Sequence, residues 1–149
     1  MITTTTVLLA IAAYLLGSIP SAVLAGKAFY GLDVREHGSN SAGATNTFRV
    51  LGKPAGSLVL LLDVFKGATA ANLVLFGPEL ESSEYVVAFK IAFGLLAVVG
   101  HIYPVFAGFK GGKGIACLLG MVIALDPILA LGCLVVFLII LITTHMVSA

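Results

Sequence analysis

No charged side chain occurs between Ile2 and Gly26. A helix needs about 20 apolar residues to cross the ~30 Å hydrocarbon core of a bilayer. A run of this length without charge therefore commits the chain to lipid. Three further stretches are as long and mostly apolar, each with only one or two charged residues: Ala55 to Phe76, Tyr85 to Phe106 and Ile115 to Ile142. The composition agrees, with 60% hydrophobic and 10% charged residues. Soluble domains carry about 25% charged residues. The charges here are too few to cover a water-facing surface, and a soluble domain of this length cannot use so much apolar residue in its core. The expected fold is all-α: a polytopic transmembrane helical bundle of about five spanning or half-spanning helices, forming a single integral membrane domain over residues 1–149.

No basic segment precedes the first run and no convincing small-residue cleavage site follows it, so a retained helix is expected rather than a signal peptide. Pro20 is expected to kink its end. Asp126-Pro127 interrupts the last run and predicts two short helices. At ~1.5 Å per residue the first of them ends too early, at Leu125, to span fully. One long kinked helix is the alternative, and it would reverse the side of the C-terminus.

The loops set the orientation. The segment from Lys27 to Lys53 holds Lys27, Arg35, Arg49 and Lys53. The segment GPELESSEY holds Glu79, Glu81 and Glu84 and no base, and Lys110 and Lys113 follow the third run. Excess Lys and Arg marks cytoplasmic loops. The N-terminus is thus expected outside, the acidic loop outside, and both the first loop and the glycine-lysine loop inside. The net charge of +1 says nothing about partners. No nucleic acid is expected. Cys117 and Cys133 lie in apolar runs without metal-ligand spacing, so neither a metal nor a cofactor is expected.

The first loop, YGLDVREHGSNSAGATNTFRVLGKPAG, is rich in Gly, Ser, Thr and Asn. Its hydroxyls and amides can donate hydrogen bonds, and its glycines let backbone amides approach an anion. Arg49 could clamp a phosphate or carboxylate through two parallel hydrogen bonds. A flexible loop at the membrane surface would have the same composition. The second loop, GFKGGKGI, lacks the spacing of a nucleotide P-loop, since Gly114 stands where a hydroxyl is required. Glycine backbone beside lysine at a helix start still suits a phosphate, because the unpaired amides and the helix dipole favour an anion there. Lys110 and Lys113 could equally be topology anchors at the headgroup level.

Asp63 and Lys66 stand three apart on one helical face within the second run. Intramembrane charges are costly and usually functional, and a structural ion pair is the competing reading. His101 lies near the inner end of the third run, where a hydrogen-bonded packing role is the commoner one. His37 and His145 show no partner in the sequence. Small residues in KGATAAN and from Gly94 to Gly100 suit close helix packing. A small transport or phosphate- and lipid-binding membrane subunit, with Asp63 and Lys66 lining a pathway, is the rival class to an enzyme.

In order, GSIPSA, REHGSNSAGATNTFRVLG, DVFKG and GHIYPVFAGFKGGKG resemble the bacterial membrane-bound acyl-phosphate:glycerol-3-phosphate acyltransferases, from about Gly17 to Gly114. The resemblance implies transfer of a fatty acyl group from acyl phosphate to the 1-hydroxyl of glycerol 3-phosphate. The products are lysophosphatidic acid and phosphate, made for phospholipid synthesis at the cytoplasmic face of the inner membrane. The partners it implies are the two substrates and membrane lipids. Ser39 and Arg49 match the serine and arginine of the family's first motif and, with Lys113, are the implied catalytic residues. Ser41, Thr45, Asn46, His101, Lys110, Gly111, Gly112 and Gly114 are the implied substrate-binding residues. His101 is assigned positioning rather than proton transfer, and the departing phosphate could take the hydroxyl proton. Two departures stand out. Gly38-Ser39-Asn40-Ser41 replaces the family's usual Gly-Ser-Gly/Lys-Asn, so the motif asparagine is either Ser41 or displaced to Asn40. The family's third cytoplasmic motif, with His, Asn, Arg and Glu, has no counterpart before Ala149. The chain is therefore expected to be incomplete at its C-terminus relative to the family, as a fragment, a truncated product or an inactive paralogue.

Overall fold

The computed structural model describes residues 3–77 and 83–144. Ile2, Glu79, Glu81 and His145 lie outside the described residues. The seven α-helices are α1 (Thr4–Gly17), α2 (Ser21–Tyr30), α3 (Ala44–Leu51), α4 (Lys53–Asn72), α5 (Ser83–Ile102), α6 (Ile115–Leu125) and α7 (Pro127–Thr144), with no strand among the described residues. Two segments, Lys53–Phe76 and Ser83–Ala107, are each long and apolar enough to cross a membrane. The pair α1 and α2 makes a third such span if its 41° bend is allowed. The helical membrane fold is as the sequence indicates.

Two expectations about the elements need correction. The first run is not one helix kinked near its end. It breaks between Gly17 and Ser21, and α2 then continues past Gly26 to Tyr30. Pro20 cannot donate an amide to the preceding turn, so the chain stops and restarts there. The first loop is not a simple surface loop either. It carries a 3-10 turn at Val34–Glu36 and the helix α3. Val34 and Ala42 pack with Ala22 and Ala25 of α2 and Val59 of α4 in a buried cluster. Burial of these side chains opposes the entropy that would otherwise keep a glycine-rich segment mobile.

The last run does form two helices, as Asp126-Pro127 predicts. The Asp126 carboxylate accepts hydrogen bonds from the amides of Ile128 (2.8 Å) and Leu129 (3.2 Å), capping α7. A cap of this kind stabilises a helix by about 1 kcal/mol.

Small residues bring α4 and α6 into backbone contact. A Cβ on Gly67 would collide with the Cys117 carbonyl, and one on Gly120 with the Val64 carbonyl. Lipid gives helices no hydrophobic reason to associate, so close packing through small residues supplies the attraction. This packing fixes α4, which carries Asp63 and Lys66, against the helix that starts at the glycine-lysine loop.

Candidate functional site

The first loop is organised by one side chain. Asn46 of α3 is 1% exposed. Its Oδ1 accepts from the Ser39 amide at 2.8 Å. Its Nδ2 lies 2.8 Å from the Val34 carbonyl, 3.0 Å from that of Ser41 and 3.1 Å from that of His37. An amide nitrogen has two hydrogens, so these carbonyls share them. Asn46 is thus spent within the protein and sets the shape of residues 34–41. Thr47, also buried, donates to the Gly43 carbonyl at 3.1 Å.

The opposite face of α3 points outward. Thr45 and Arg49 are four residues apart and both exposed, which places them on one helical face. Ser39 is exposed beside this helix and Ser41 is half-buried. Among the described residues, the side chains of Ser39, Thr45 and Arg49 form no hydrogen bond or ion pair with the protein. Asn40, a non-glycine residue at φ 56°, holds the turn between Ser39 and Ser41. Asparagine tolerates that left-handed conformation better than most residues.

The two loops meet. The Ala42 amide donates to the Gly111 carbonyl at 3.2 Å. A Cβ on Gly112 would overlap His101 Nε2 and lie 3.1 Å from the Gly43 Cα. Glycine at 112 is therefore demanded by the closeness of the two backbones and the imidazole. The amides of Gly111 and Gly112 already donate to the carbonyls of Ile102 (3.2 Å) and His101 (3.1 Å). In this structure these two amides fasten the glycine-lysine loop, a strap between Gly108 and Gly114, to the end of α5. Amide donors remain at the first turn of α6, which begins after Gly114 (φ 81°). Its first intrahelical bond runs from the Leu118 amide to the Gly114 carbonyl at 2.8 Å. The preceding amides have no intrahelical acceptor. Lys110 and Lys113 are exposed on either side of the Gly111-Gly112 pair.

A second tie holds the loops together, and sequence reasoning did not find it. Asp33 accepts from Arg35 Nε (3.0 Å) and Nη2 (2.7 Å), and Arg35 Nη1 donates to the Ala107 carbonyl at 2.7 Å. The Arg35 guanidinium lowers the Asp33 pKa from 3.8 to about 2. Arg35 registered in the sequence only as a positive charge, because its acceptor lies 72 residues away.

Behind the strap, inside the bundle, Asp63 and Lys66 do form a buried pair. Lys66 Nζ stands 2.9 Å from Asp63 Oδ1 and donates a hydrogen bond to the Ile19 carbonyl, also at 2.9 Å. The ammonium is aimed at the break between α1 and α2, and neither Asp63 oxygen receives an aligned hydrogen bond. His101, buried, places Nδ1 3.6 Å from Asp63 Oδ1. Lys90 plays the matching part at the other broken run, donating to the Ala124 carbonyl at 2.7 Å. Each break exposes carbonyls that lipid cannot satisfy, and each receives a lysine from an unbroken helix.

An apolar cleft of ≈ 430 Å³ runs between α2 and α4. Its walls include Leu24, Ala28, Phe29, Leu58, Leu62 and Phe65. No group of three or more His, Cys, Asp or Glu suited to a metal ion occurs among the described residues.

Comparison with known proteins bears on this arrangement. A family model described as glycerol-3-phosphate acyltransferase matches residues 7–149. A glycerol-3-phosphate acyltransferase 2 of Bacillus cereus is 48% identical over 145 residues, covering 97% of this chain and 69% of the relative. Glycerol-3-phosphate acyltransferase of Exiguobacterium sibiricum is 54% identical over 135 residues, covering 91% of this chain and 62% of the relative. Two crystal structures of PlsY (YgiH), an integral membrane glycerol 3-phosphate acyltransferase, share the fold. Its glycerol 3-phosphate form gives a TM-score of 0.81 at 42% identity, covering 92% of this chain and 66% of that one. Its lysophosphatidic acid form gives 0.76 at 40% identity, covering 91% and 64%. The chain thus spans about two thirds of the length of these proteins.

Proposed function

Because the chain belongs to the glycerol-3-phosphate acyltransferase family, we propose that it moves a fatty acyl group from acyl phosphate to the 1-hydroxyl of glycerol 3-phosphate. The reaction yields lysophosphatidic acid and phosphate at the cytoplasmic face of a bacterial inner membrane, with the N-terminus outside. The observation that carries the reading is the joint between Ala42 and Gly111. It holds two segments rich in exposed hydroxyls and cations against each other at one end of the bundle.

An acyl phosphate is a mixed anhydride and needs no covalent enzyme nucleophile. The glycerol oxygen attacks the acyl carbon, the bond from that carbon to the phosphate oxygen breaks, and the departing phosphate takes the hydroxyl proton. The protein's task is to bring two phosphorylated molecules together and to neutralise their charge. Ser39 and Arg49, both outward-facing, serve one phosphate. Lys110, Lys113 and the first-turn amides of α6, behind Gly114, serve the other. Ser41 and Thr45 line the junction. Asn46, Gly111 and Gly112 act through shape, by fixing the two loops. The acyl tail lies in the apolar cleft between α2 and α4.

The test is phosphate release by the purified chain in lipid vesicles. Release from palmitoyl phosphate that requires added glycerol 3-phosphate is expected. Release that ignores glycerol 3-phosphate, or none at all from well-folded protein, would overturn the assignment for this chain.

A further inference from the structure

His101 is gripped from two sides. On one side stands Asp63, whose side chain is 1% exposed, with Oδ1 3.6 Å from Nδ1. On the other lies the strap, since a Cβ added to Gly112 would overlap Nε2 and sit 3.1 Å from the Gly43 backbone. The ring thus spans the distance from an intramembrane carboxylate to the seam where the two loops meet.

The carboxylate is short of donors. Lys66 Nζ lies 2.9 Å from Oδ1 but directs one of its three N–H groups to the Ile19 carbonyl, and both Asp63 oxygens lack an aligned hydrogen bond. The remaining donor beside it is the Nδ1–H of His101. At 3.6 Å the contact is electrostatic rather than a formed hydrogen bond, and such contacts often tighten when substrate binds. A buried carboxylate favours the tautomer that carries its proton on the facing nitrogen. The other nitrogen is then a bare acceptor. The other groups beside the carboxylate are Lys66 of α4 and Cys117 of α6, which couples electrostatically to both Asp63 and Lys66, while the buried Ser18 hydroxyl packs near Gly100.

We propose that Asp63 is a positioning residue. It holds His101 in the Nδ1–H tautomer and so presents a bare Nε2 acceptor at the Gly43–Gly112 seam, where it orients the 2-hydroxyl of glycerol 3-phosphate and leaves the 1-hydroxyl proton to the departing phosphate. The orienting role rests on the acyltransferase reading above, whereas the tautomer does not.

The experiment is ¹⁵N NMR of the histidine-labelled full chain in detergent at about pH 7, with the His101 signals assigned by their loss in His101→Gln. A neutral ring protonated at Nδ1 is expected. A ring protonated at Nε2, or an imidazolium, overturns the proposal without need of any variant at Asp63. Two variants read the consequence. Asp63→Asn should lower kcat by about 10- to 100-fold with little change in KM, as loss of an orienting partner does. Asp63→Asn/Lys66→Met, which removes both charges, should stay equally impaired. Recovery of wild-type turnover in the double variant would mean that the pair merely neutralises itself, and the proposal would fail. A wild-type chain that transfers no acyl group would refute the acyltransferase reading, while the NMR result would still decide the tautomer.

Discussion

The most polar segment of this chain and its most apolar helix exchange the roles that a soluble protein would give them. Residues 31–52, rich in Gly, Ser, Thr and Asn, contain the buried Val34, Ala42, Asn46 and Thr47. Helix α7, mostly Leu, Ile and Val, buries Ala130 and leaves the rest of its described side chains largely exposed. In lipid, apolarity reports which surface meets the hydrocarbon, and packing is carried by small or hydrogen-bonded residues. The polar segment can therefore be the more specified of the two. Its shape depends on particular donors and acceptors, whereas the exposed face of α7 depends on little beyond being apolar.

That contrast can be broken or sharpened by substitution. The largest effect is expected at the outward face of α3. Arg49→Ala should lower turnover by about 10²–10³-fold, the usual loss when one charge-stabilising donor is removed, with the thermal midpoint unchanged. Unchanged turnover in a steady-state phosphate-release assay would remove Arg49 from the site. Next comes the buried face of the same helix. Asn46→Ala strips partners from the Ser39 amide and from the carbonyls around it, and should cost about 2–4 kcal/mol of stability. Leu134→Ala on α7 should stay within about 0.5 kcal/mol. Detergent unfolding curves that ranked these two variants the other way would contradict the comparison.

The smallest effect concerns the tie between the loops. The Asp33 pKa is lowered from 3.8 to about 2, so its contribution to stability is full above the higher value and is lost as the pH falls through the lower one. Stability followed across that acid range should lose this component in Asp33→Asn. An identical acid limb in variant and parent would show that the Asp33–Arg35–Ala107 link does not hold the fold.

Much of the architecture could be read from sequence alone because it rests on local signals. The apolar runs, the Asp126-Pro127 break and the Asp63–Lys66 spacing are each contained within a short window. The start of α6 just after Gly114 was equally legible. What escaped depended on partners far along the chain. Arg35 meets Ala107, Lys66 meets Ile19 and Lys90 meets Ala124, and these carbonyls carry no side-chain signature. The break in the first run was signalled by Pro20, but its consequence was underestimated, since a restart at Ser21 lets α2 run on to Tyr30. Helix α3 was hidden because its eight residues include Thr, Asn and Thr, weak helix formers that read as loop. The amides of Gly111 and Gly112 looked available for a phosphate because glycine suits anion binding and close packing alike. Only the positions of the Ile102 and His101 carbonyls decide between those uses.

The joining of the two loops at one membrane face is best tested by labelling. Single cysteines are introduced by Ser39→Cys and Lys110→Cys in a Cys117→Ala/Cys133→Ser background, and each chain is treated in oriented vesicles with a membrane-impermeant maleimide. Both positions should react from the same face, and glycerol 3-phosphate should slow both. Reaction of the two from opposite faces would contradict the assembly of this site.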